Sequence, residues 1–127
     1  MFENIKPKKI TGKKIRTNNS KINEIVSLWK EVPNMELSGN LYAVYFNYES
    51  DYKGDFDFLI GSDQNLLNDF VDIKEGKYMI WTVKSNSPED VGAVWNEIWN
   101  TDLNRSYKTD FEVYSQDGSI KIYIGVE

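Results

Sequence analysis

The chain contains neither cysteine nor histidine among its 127 residues. Without cysteine it cannot form a disulfide framework or a thiolate metal site. Without histidine it lacks the usual general base, a common metal ligand and every catalytic arrangement that pairs histidine with serine or cysteine. We therefore expect neither a metal nor another cofactor.

Long hydrophobic runs are absent as well. No apolar stretch approaches the ~18–20 residues of a membrane span, and residues 1–7 lack the apolar core of a signal peptide. We expect no membrane partner and a cytoplasmic location. The chain does contain 40% apolar and 14% aromatic residues, which suffices for a hydrophobic core in a single domain over residues 1–127.

Positive charge is scarce outside the N-terminal region. Residues 1–23 carry seven of the fifteen Lys and Arg residues and one acid, whereas residues 24–127 carry a net charge of −11. A basic arm on an acidic body can indicate nucleic-acid binding. No aromatic interleaving or recognition-helix pattern accompanies these lysines, so direct nucleic-acid binding is not favoured. We expect the lysines to keep the edge of a sheet soluble and unpaired.

Two segments have the apolar period of an amphipathic helix. The first has Ile22, Ile25, Val26 and Trp29 at i, i+3, i+4 and i+7, and we expect Pro33 to end it. In the second helix the same spacing is repeated by Val91, Val94, Trp95 and Ile98. Ser87 is expected to cap this second helix. Each helix should lie on a sheet.

The remaining segments predict strands. Residues 41–48 and 55–62 alternate and are rich in aromatics, while residues 110–115 and 119–126 flank Asp117-Gly118, which is typical of a tight hairpin turn. Residues 78–83 and 9–16 predict two further strands. Residues 63–72 form a link that ends in a short strand.

The two halves of the chain match in order. Each half, about 1–62 and 73–127, reads as strand, helix, connector and hairpin. Leu28-Trp29 corresponds to Ile98-Trp99, Phe46-Asn47 to Phe111-Glu112, and Ile60-Gly61 to Ile124-Gly125. We therefore predict an α+β fold built from a duplicated strand–helix–strand–strand unit, with antiparallel sheets, two helices and a central cleft between the copies.

Alternation along the strands assigns side chains to the helix-covered face or to the opposite face. In the last hairpin we expect Phe111 and Val113 under a helix with the isoleucines of the final strand. The opposite face of that hairpin would carry Glu112, Tyr114, Tyr123 and Gly125. In the first hairpin the residues expected under the helix are Phe46, Phe56, Phe58 and Ile60. Those expected to face away are Tyr45, Asn47, Leu59 and Gly61.

Two sheets that meet through these second faces would form a cleft lined by tyrosine and leucine with one carboxylate. Aromatic faces attract cations, and a carboxylate out of water selects positive charge. Such a cleft would suit a flat, apolar, cationic ligand. The alternative is an ordinary wet sheet face, since half-exposed antiparallel sheets alternate in the same way.

Several segments resemble GyrI-like proteins. Gly12-Lys13-Lys14-Ile15-Arg16-Thr17-Asn18 resembles the opening of that family. Trp95-Asn96-Glu97-Ile98-Trp99, followed by Arg105, Tyr107 and Asp110-Phe111-Glu112-Val113-Tyr114, resembles its most recognisable signature. These small-molecule-binding domains occur alone or at the C-terminus of bacterial multidrug-responsive and AraC-type transcription activators. The chain of 127 residues leaves no room for a DNA-binding module, so we expect a stand-alone member.

The resemblance implies a pocket between the halves in which an acidic residue engages cationic, lipophilic ligands, and the matching position is Glu112. Tyr114 and Tyr123 would be aromatic wall residues. The further ligand-binding candidates are Tyr45, Asn47, Tyr78, Trp81 and Trp99. Arg105 is expected to pair with an acid near the last hairpin. From this assignment we expect the protein to act as a sensor or a sequestering protein for amphipathic organic molecules.

Two alternatives stay open. Some GyrI-like proteins are hydrolases of strained electrophiles, and a carboxylate with a raised pKa could activate water without histidine. In that case Glu112 would be the general base, and Tyr114 or Tyr123 the orienting donor. The second alternative is a protein partner, such as DNA gyrase, bound by the acidic body.

Overall fold

The computed structural model describes residues 2–64, 67–85 and 87–127. In chain order the elements are β1 (Phe2–Ile5), β2 (Lys8–Thr17), α1 (Ile22–Met35), β3 (Leu41–Phe46), β4 (Phe56–Ser62), β5 (Asp69–Ile73), β6 (Gly76–Val83), α2 (Pro88–Trp99), β7 (Arg105–Tyr114) and β8 (Ile120–Val126). The α+β composition is confirmed. β5 ends the predicted link, of which residues 65 and 66 lie outside the described residues, and β1 was not predicted.

The prediction of separate sheets was wrong. The described strands form one antiparallel sheet in the order β1-β6-β8-β7-β3-β4-β2-β5. The two hairpins join because β3 pairs with β7 from Leu41↔Tyr114 to Phe46↔Thr109. This pairing satisfies the backbone groups along two strands that would otherwise be exposed edges.

The lysine-rich strand β2 is not an edge strand over its whole length. It pairs with β4 from Thr11 to Thr17 and with β5 from Lys8 to Gly12. The edge expectation was therefore wrong for the N-terminal half of β2. Among the described strands, the second half of β2, residues 13–17, pairs only with β4.

Both helices form where the apolar period predicts them. Pro33 does not end α1, which continues to Met35 and gives way to a left-handed residue at Glu36. Proline removes one backbone donor, and here it lies exposed in the last turn, where only Asn34 and Met35 follow it in the helix. At the start of α2 the Ser87 side chain accepts a hydrogen bond from the Asp90 amide, so the predicted cap is confirmed.

For the last hairpin, the side chains beneath the helix were predicted correctly for β8 and wrongly for β7. Ile122 lies opposite Glu112 and Tyr123 lies opposite Phe111. A two-residue turn at Asp117-Gly118 would pair Val113 with Ile122, but a three-residue loop closes the hairpin, because the Ser115 amide bonds the Ser119 carbonyl at 2.9 Å. One extra loop residue reverses the face of every β7 side chain relative to β8.

Glu112 and Tyr114 consequently share the face of Ile120, Ile122 and Ile124, which pack beneath α2. Phe111 packs on the opposite face in a cluster with Val44 and Leu59.

The first hairpin shows a similar exchange. Tyr45 lies opposite Phe58, and both pack beneath α1. Phe46, which was expected there, packs against the cluster on the other face. Phe56, Phe58 and Ile60 lie under α1 as predicted. The result is a helix-covered face that carries Tyr45, Glu112 and Tyr114 together.

Candidate functional site

A cavity of about 660 Å³ lies between the two helices and the sheet. Both helices contribute mainly apolar side chains to its walls, namely Ile22, Ile25, Val26, Trp29, Val91, Gly92, Trp95 and Trp99. The sheet and the adjoining loops contribute Asn19, Tyr45, Tyr48, Tyr52, Phe56, Arg105, Glu112 and Tyr114. Its size falls in the range of small-molecule pockets.

Glu112 supplies a buried carboxylate to this cavity. The residue is 3% exposed and sits on β7 beside the final strand. Three side chains donate hydrogen bonds to it: Tyr45 Oη to Oε2 at 3.0 Å, Trp95 Nε1 to Oε2 at 2.5 Å, and Tyr114 Oη to Oε1 at 2.6 Å. These donors come from β3, α2 and β7, so the carboxylate is held where three elements meet.

Burial controls the titration of this group. Desolvation raises the pKa of Glu112 above its ordinary value, although the hydrogen bonds from Tyr114, Trp95 and Tyr45 act in the opposite direction. Desolvation and the neighbouring carboxylate also raise the pKa of Tyr45 and of Tyr114. Both tyrosines are therefore neutral donors at ordinary pH.

Aromatic rings surround the carboxylate. Trp95 meets Tyr45 edge to face at a centroid distance of 5.2 Å, and Trp29 meets Tyr114 edge to face at 5.0 Å. Such pairs orient ring faces and edges in fixed directions. The cavity thus offers flat apolar area directly beside one acidic group.

A second polar cluster forms another part of the wall. Arg105 Nη2 donates to Asp110 Oδ2 at 2.7 Å, and the two side chains are 6% and 0% exposed. Tyr48 Oη donates to the same oxygen at 2.5 Å, and the Gly125 amide donates to Asp110 Oδ1 at 2.8 Å. The expectation that Arg105 pairs with an acid near the last hairpin is confirmed.

The structure brings only some of the predicted site residues together. Four of them line the cavity, namely Glu112, Tyr114, Tyr45 and Trp99.

The other four predicted residues lie elsewhere. Tyr123 stacks on Phe111 at 4.5 Å and lines a separate cavity of about 420 Å³. Tyr78 is buried in the cluster of that same face. Trp81 packs with the residues beneath α2, and Asn47 is exposed and donates to Asp57.

Seven aromatic or polar residues of the cavity were not predicted as site residues, namely Asn19, Trp29, Tyr48, Tyr52, Phe56, Trp95 and Arg105. Trp29 and Trp95 had a signal, since each belongs to the apolar stripe of a predicted helix. Tyr48 and Tyr52 lie in the loop between β3 and β4. Tyr48 was placed at the end of a predicted strand, whereas no periodic pattern indicates the direction of the Tyr52 side chain.

Two features are absent from the part of the chain that the structure describes. Residues 2–64, 67–85 and 87–127 contain no cluster of three or more acidic side chains arranged to hold a metal ion. Neither helix of the described chain has the length and apolar character needed to cross a membrane.

An aromatic cavity with one buried carboxylate, on an α+β sheet with two helices, defines a small-molecule-binding type of domain. The family model of Cass2, the integron-associated effector binding protein, matches residues 2–126. The chain therefore belongs to the Cass2 family of effector-binding proteins, which is a GyrI-like family.

Two solved structures and one curated relative are similar to this chain over nearly its whole length. Integron cassette protein VCH_CASS2, from the mobile metagenome of Vibrio cholerae, is 31% identical with a TM-score of 0.85 and covers 100% of this chain and 95% of its own. SAV2435, solved with bound tetraphenylphosphonium, shares the fold at 18% identity and a TM-score of 0.74, covering 100% of this chain and 93% of its own. YobU of Bacillus subtilis (strain 168), whose name describes it as a candidate transcriptional regulator, is 24% identical over 94% of this chain and 92% of its own.

Proposed function

We propose that this protein binds amphipathic, cationic small organic molecules in the cavity between α1 and α2 and acts as a sensor or a sequestering protein for them. Glu112 would select the positive charge, and the surrounding rings would supply apolar contact area. The observation that carries the proposal is the Glu112 carboxylate, which is 3% exposed and belongs to none of the ion pairs found among the described residues.

A buried carboxylate that lacks a cationic partner is costly for the folded protein. Neutral donors from Tyr45, Trp95 and Tyr114 offset part of that cost. A ligand cation placed over the rings of Trp95 and Tyr45 would offset more of it through charge attraction and cation–π contact. This arrangement favours soft organic cations, because small hydrated ions would lose their water without gaining apolar contact.

The comparisons support the same ligand class. Effector binding is the property after which the family is named, and SAV2435 was solved with tetraphenylphosphonium, a lipophilic cation. The cavity of about 660 Å³ and its walls, which are lined mainly by aromatic and aliphatic side chains, are suited to a molecule of that kind.

The internal duplication is part of this proposal. The strand order is symmetric about its centre: β1 and β5 lie at the two ends, followed inward by β6 and β2, then β8 and β4, and finally β7 and β3. Each strand of the first half of the chain is thus matched by the corresponding strand of the second half. This symmetry supports two repeats around an axis between β3 and β7. With Ile60-Gly61 aligned to Ile124-Gly125, the pair Tyr45↔Phe58 corresponds to Glu112↔Ile122. Tyr45, rather than Asn47, would then be the counterpart of Glu112, and the two would bond each other beside the axis.

The test is the binding of tetraphenylphosphonium to the wild type and to Glu112→Gln, measured by isothermal titration calorimetry. Glutamine keeps the shape and removes the charge, so we expect the dissociation constant to rise on the order of 30-fold or more. Glu97→Gln is the matched control, because Glu97 is exposed on α2 and its loss should leave the affinity unchanged. Equal affinity of the wild type and Glu112→Gln would exclude Glu112 from the site.

The hydrolase and protein-partner alternatives stay predictions. Both oxygens of Glu112 already accept hydrogen bonds from the cavity walls, so they are less available to take a proton from water, although burial raises the pKa of the carboxyl. Binding is the better-supported role because effector binding is the property after which the family is named. Turnover of a reactive electrophile that disappears in Glu112→Ala would support the hydrolase, whereas a salt-sensitive complex with gyrase that is indifferent to Glu112 would support the protein partner.

A further inference from the structure

Three hydrogen-bond donors that belong to residues lining the cavity have no acceptor among the described residues. They are Nε and Nη1 of Arg105 and Nε1 of Trp99, and all three atoms are buried. The Arg105 side chain is 6% exposed, and both residues line the cavity that contains Glu112. Buried donors without an acceptor are rare in folded proteins and cost free energy.

Tyr52 connects the two residues. Its ring is stacked on Trp99 with a centroid distance of 5.7 Å and an interplanar angle of 12°, and the guanidinium carbon of Arg105 lies 6.0 Å from the same ring. The guanidinium also lies 4.4 Å from the ring of Tyr107. Ring faces stabilise its charge but do not replace an oxygen acceptor for its N–H groups.

The charge of Arg105 is already neutralised by Asp110 at 2.7 Å. Trp99 lies beside Trp95 with a ring-centroid distance of 6.2 Å, and Trp95 donates a hydrogen bond to Glu112. The donor cluster and the acidic group are therefore close enough for one ligand to contact both. A second full negative charge at this distance from Glu112 would be repelled, whereas a neutral oxygen would not.

The geometry points to a bipolar ligand: an organic cation that also carries a neutral acceptor oxygen, such as a carbonyl, which accepts hydrogen bonds from Arg105 and Trp99. This inference rests on the proposed function and narrows its ligand class. The cation would lie near Glu112, and the oxygen would lie near the cluster formed by Tyr52, Trp99 and Arg105. The three donor atoms have almost no solvent-accessible surface in the ligand-free protein, so the side chains of Trp99 and Arg105 would turn toward the oxygen as it binds.

Three probes with one scaffold test this assignment: tetraphenylphosphonium, its para-carboxamide and its para-carboxylate. Calorimetry on the wild type should show the carboxamide binding about tenfold more tightly than the parent cation. Equal affinity of these two would overturn the inference and leave the proposed function intact. Tighter binding of the carboxylate than of the carboxamide would overturn the claim that the acceptor oxygen is neutral. Failure of every probe to bind would overturn the inference together with the proposed function.

Two variants with the same chemical change separate the donors. Trp99→Phe removes the unpaired indole N–H, and we expect the carboxamide-to-parent affinity ratio to fall severalfold toward 1. Trp95→Phe removes the indole N–H that donates to Glu112, and that ratio should stay at its wild-type value while the affinity for both probes falls. A preserved ratio in Trp99→Phe would exclude Trp99 from the acceptor site. Thermal melts establish that both variants are folded. The comparison of the three probes on the wild type does not depend on either variant.

Discussion

The hydroxyl of Tyr45 donates a 3.0 Å hydrogen bond to Glu112 Oε2, although 67 residues separate them in the chain. The contact exists because β3 and β7 are neighbours in the sheet and both side chains lie on the helix-covered face. Trp95 and Tyr114 complete the set of donors. The carboxylate is thereby held in place before any ligand arrives, which reduces the ordering cost of binding.

Cation binding should weaken as the pH falls. Burial raises the pKa of Glu112 above its ordinary value of 4.5, so the carboxyl becomes neutral at a higher pH than an exposed glutamate does. The charge of tetraphenylphosphonium does not titrate, and calorimetry at pH 7.5, 6.5 and 5.5 would therefore report the protein alone. Glu112→Gln should show a flat profile, and an equal decline in that variant would assign the effect to another group.

The ligand-free protein should show the opposite dependence in its stability. A carboxyl whose pKa is higher in the folded state binds more protons there than in the unfolded chain, so the free energy of unfolding falls as the pH rises between 4.5 and the raised pKa of Glu112. Urea denaturation of the wild type and Glu112→Gln isolates this term. We expect the wild type to lose stability relative to the variant across this range. A constant difference would contradict the raised pKa.

Tyr45→Phe should reduce cation affinity without removing any charge. The variant loses one of three donors to Glu112, which raises the pKa of Glu112 further and leaves the carboxylate less well placed. We expect a loss of about 1 kcal/mol in binding at pH 7, or roughly fivefold. Tyr42→Phe is the control, because Tyr42 lies on the other face among the residues of the second cavity. Equal effects of the two substitutions would show that the contact with Glu112 is irrelevant.

Asp110→Asn should destabilise the fold strongly. Asp110 is fully buried and accepts bonds from Arg105, Tyr48 and the Gly125 amide. Its neutralisation leaves the guanidinium buried without a counter-charge, and breaking such a pair costs about 3–5 kcal/mol. Asp63→Asn, in the more exposed pair with Lys8, should cost less than about 1 kcal/mol. Urea denaturation of both variants measures the contrast, and similar losses would contradict this assignment.

Two glycines should respond to alanine in opposite ways. A Cβ at Gly12 would lie 1.9 Å from the carbonyl oxygen of Ile60, whereas one at Gly92 would meet nothing within 4 Å. Gly12→Ala must therefore push β2 away from β4, and we expect a loss of about 3 kcal/mol in stability. Gly92→Ala lies within α2 and should raise stability by about 0.5–1 kcal/mol. Thermal melts of both variants test this, and a tolerated alanine at Gly12 would contradict the close strand approach.

Much of the fold was accessible from local patterns. The apolar spacing of Ile25 and Val91 located the helices, and alternation located six of the eight strands, while the link ending in a strand anticipated β5. Glu112 was singled out first by strand alternation and then by the family-like segment around it, and the alternation argument placed it on the wrong face of the sheet. The grouping of Trp95 with Glu112 could not be predicted, because the helix period of α2 does not reveal which strand lies beneath it.

The sequence alone determined the element types, the hairpins and the acidic group beside aromatic residues, because these depend on patterns within a few residues of each other. Tertiary structure decided which side of the sheet carries Glu112 and the cavity. One additional residue in the loop between Ser115 and Ser119 reverses the face of β7 relative to β8, and the pairing of β3 with β7 then brings Tyr45 to Glu112. Both depend on register between strands, which no single strand encodes.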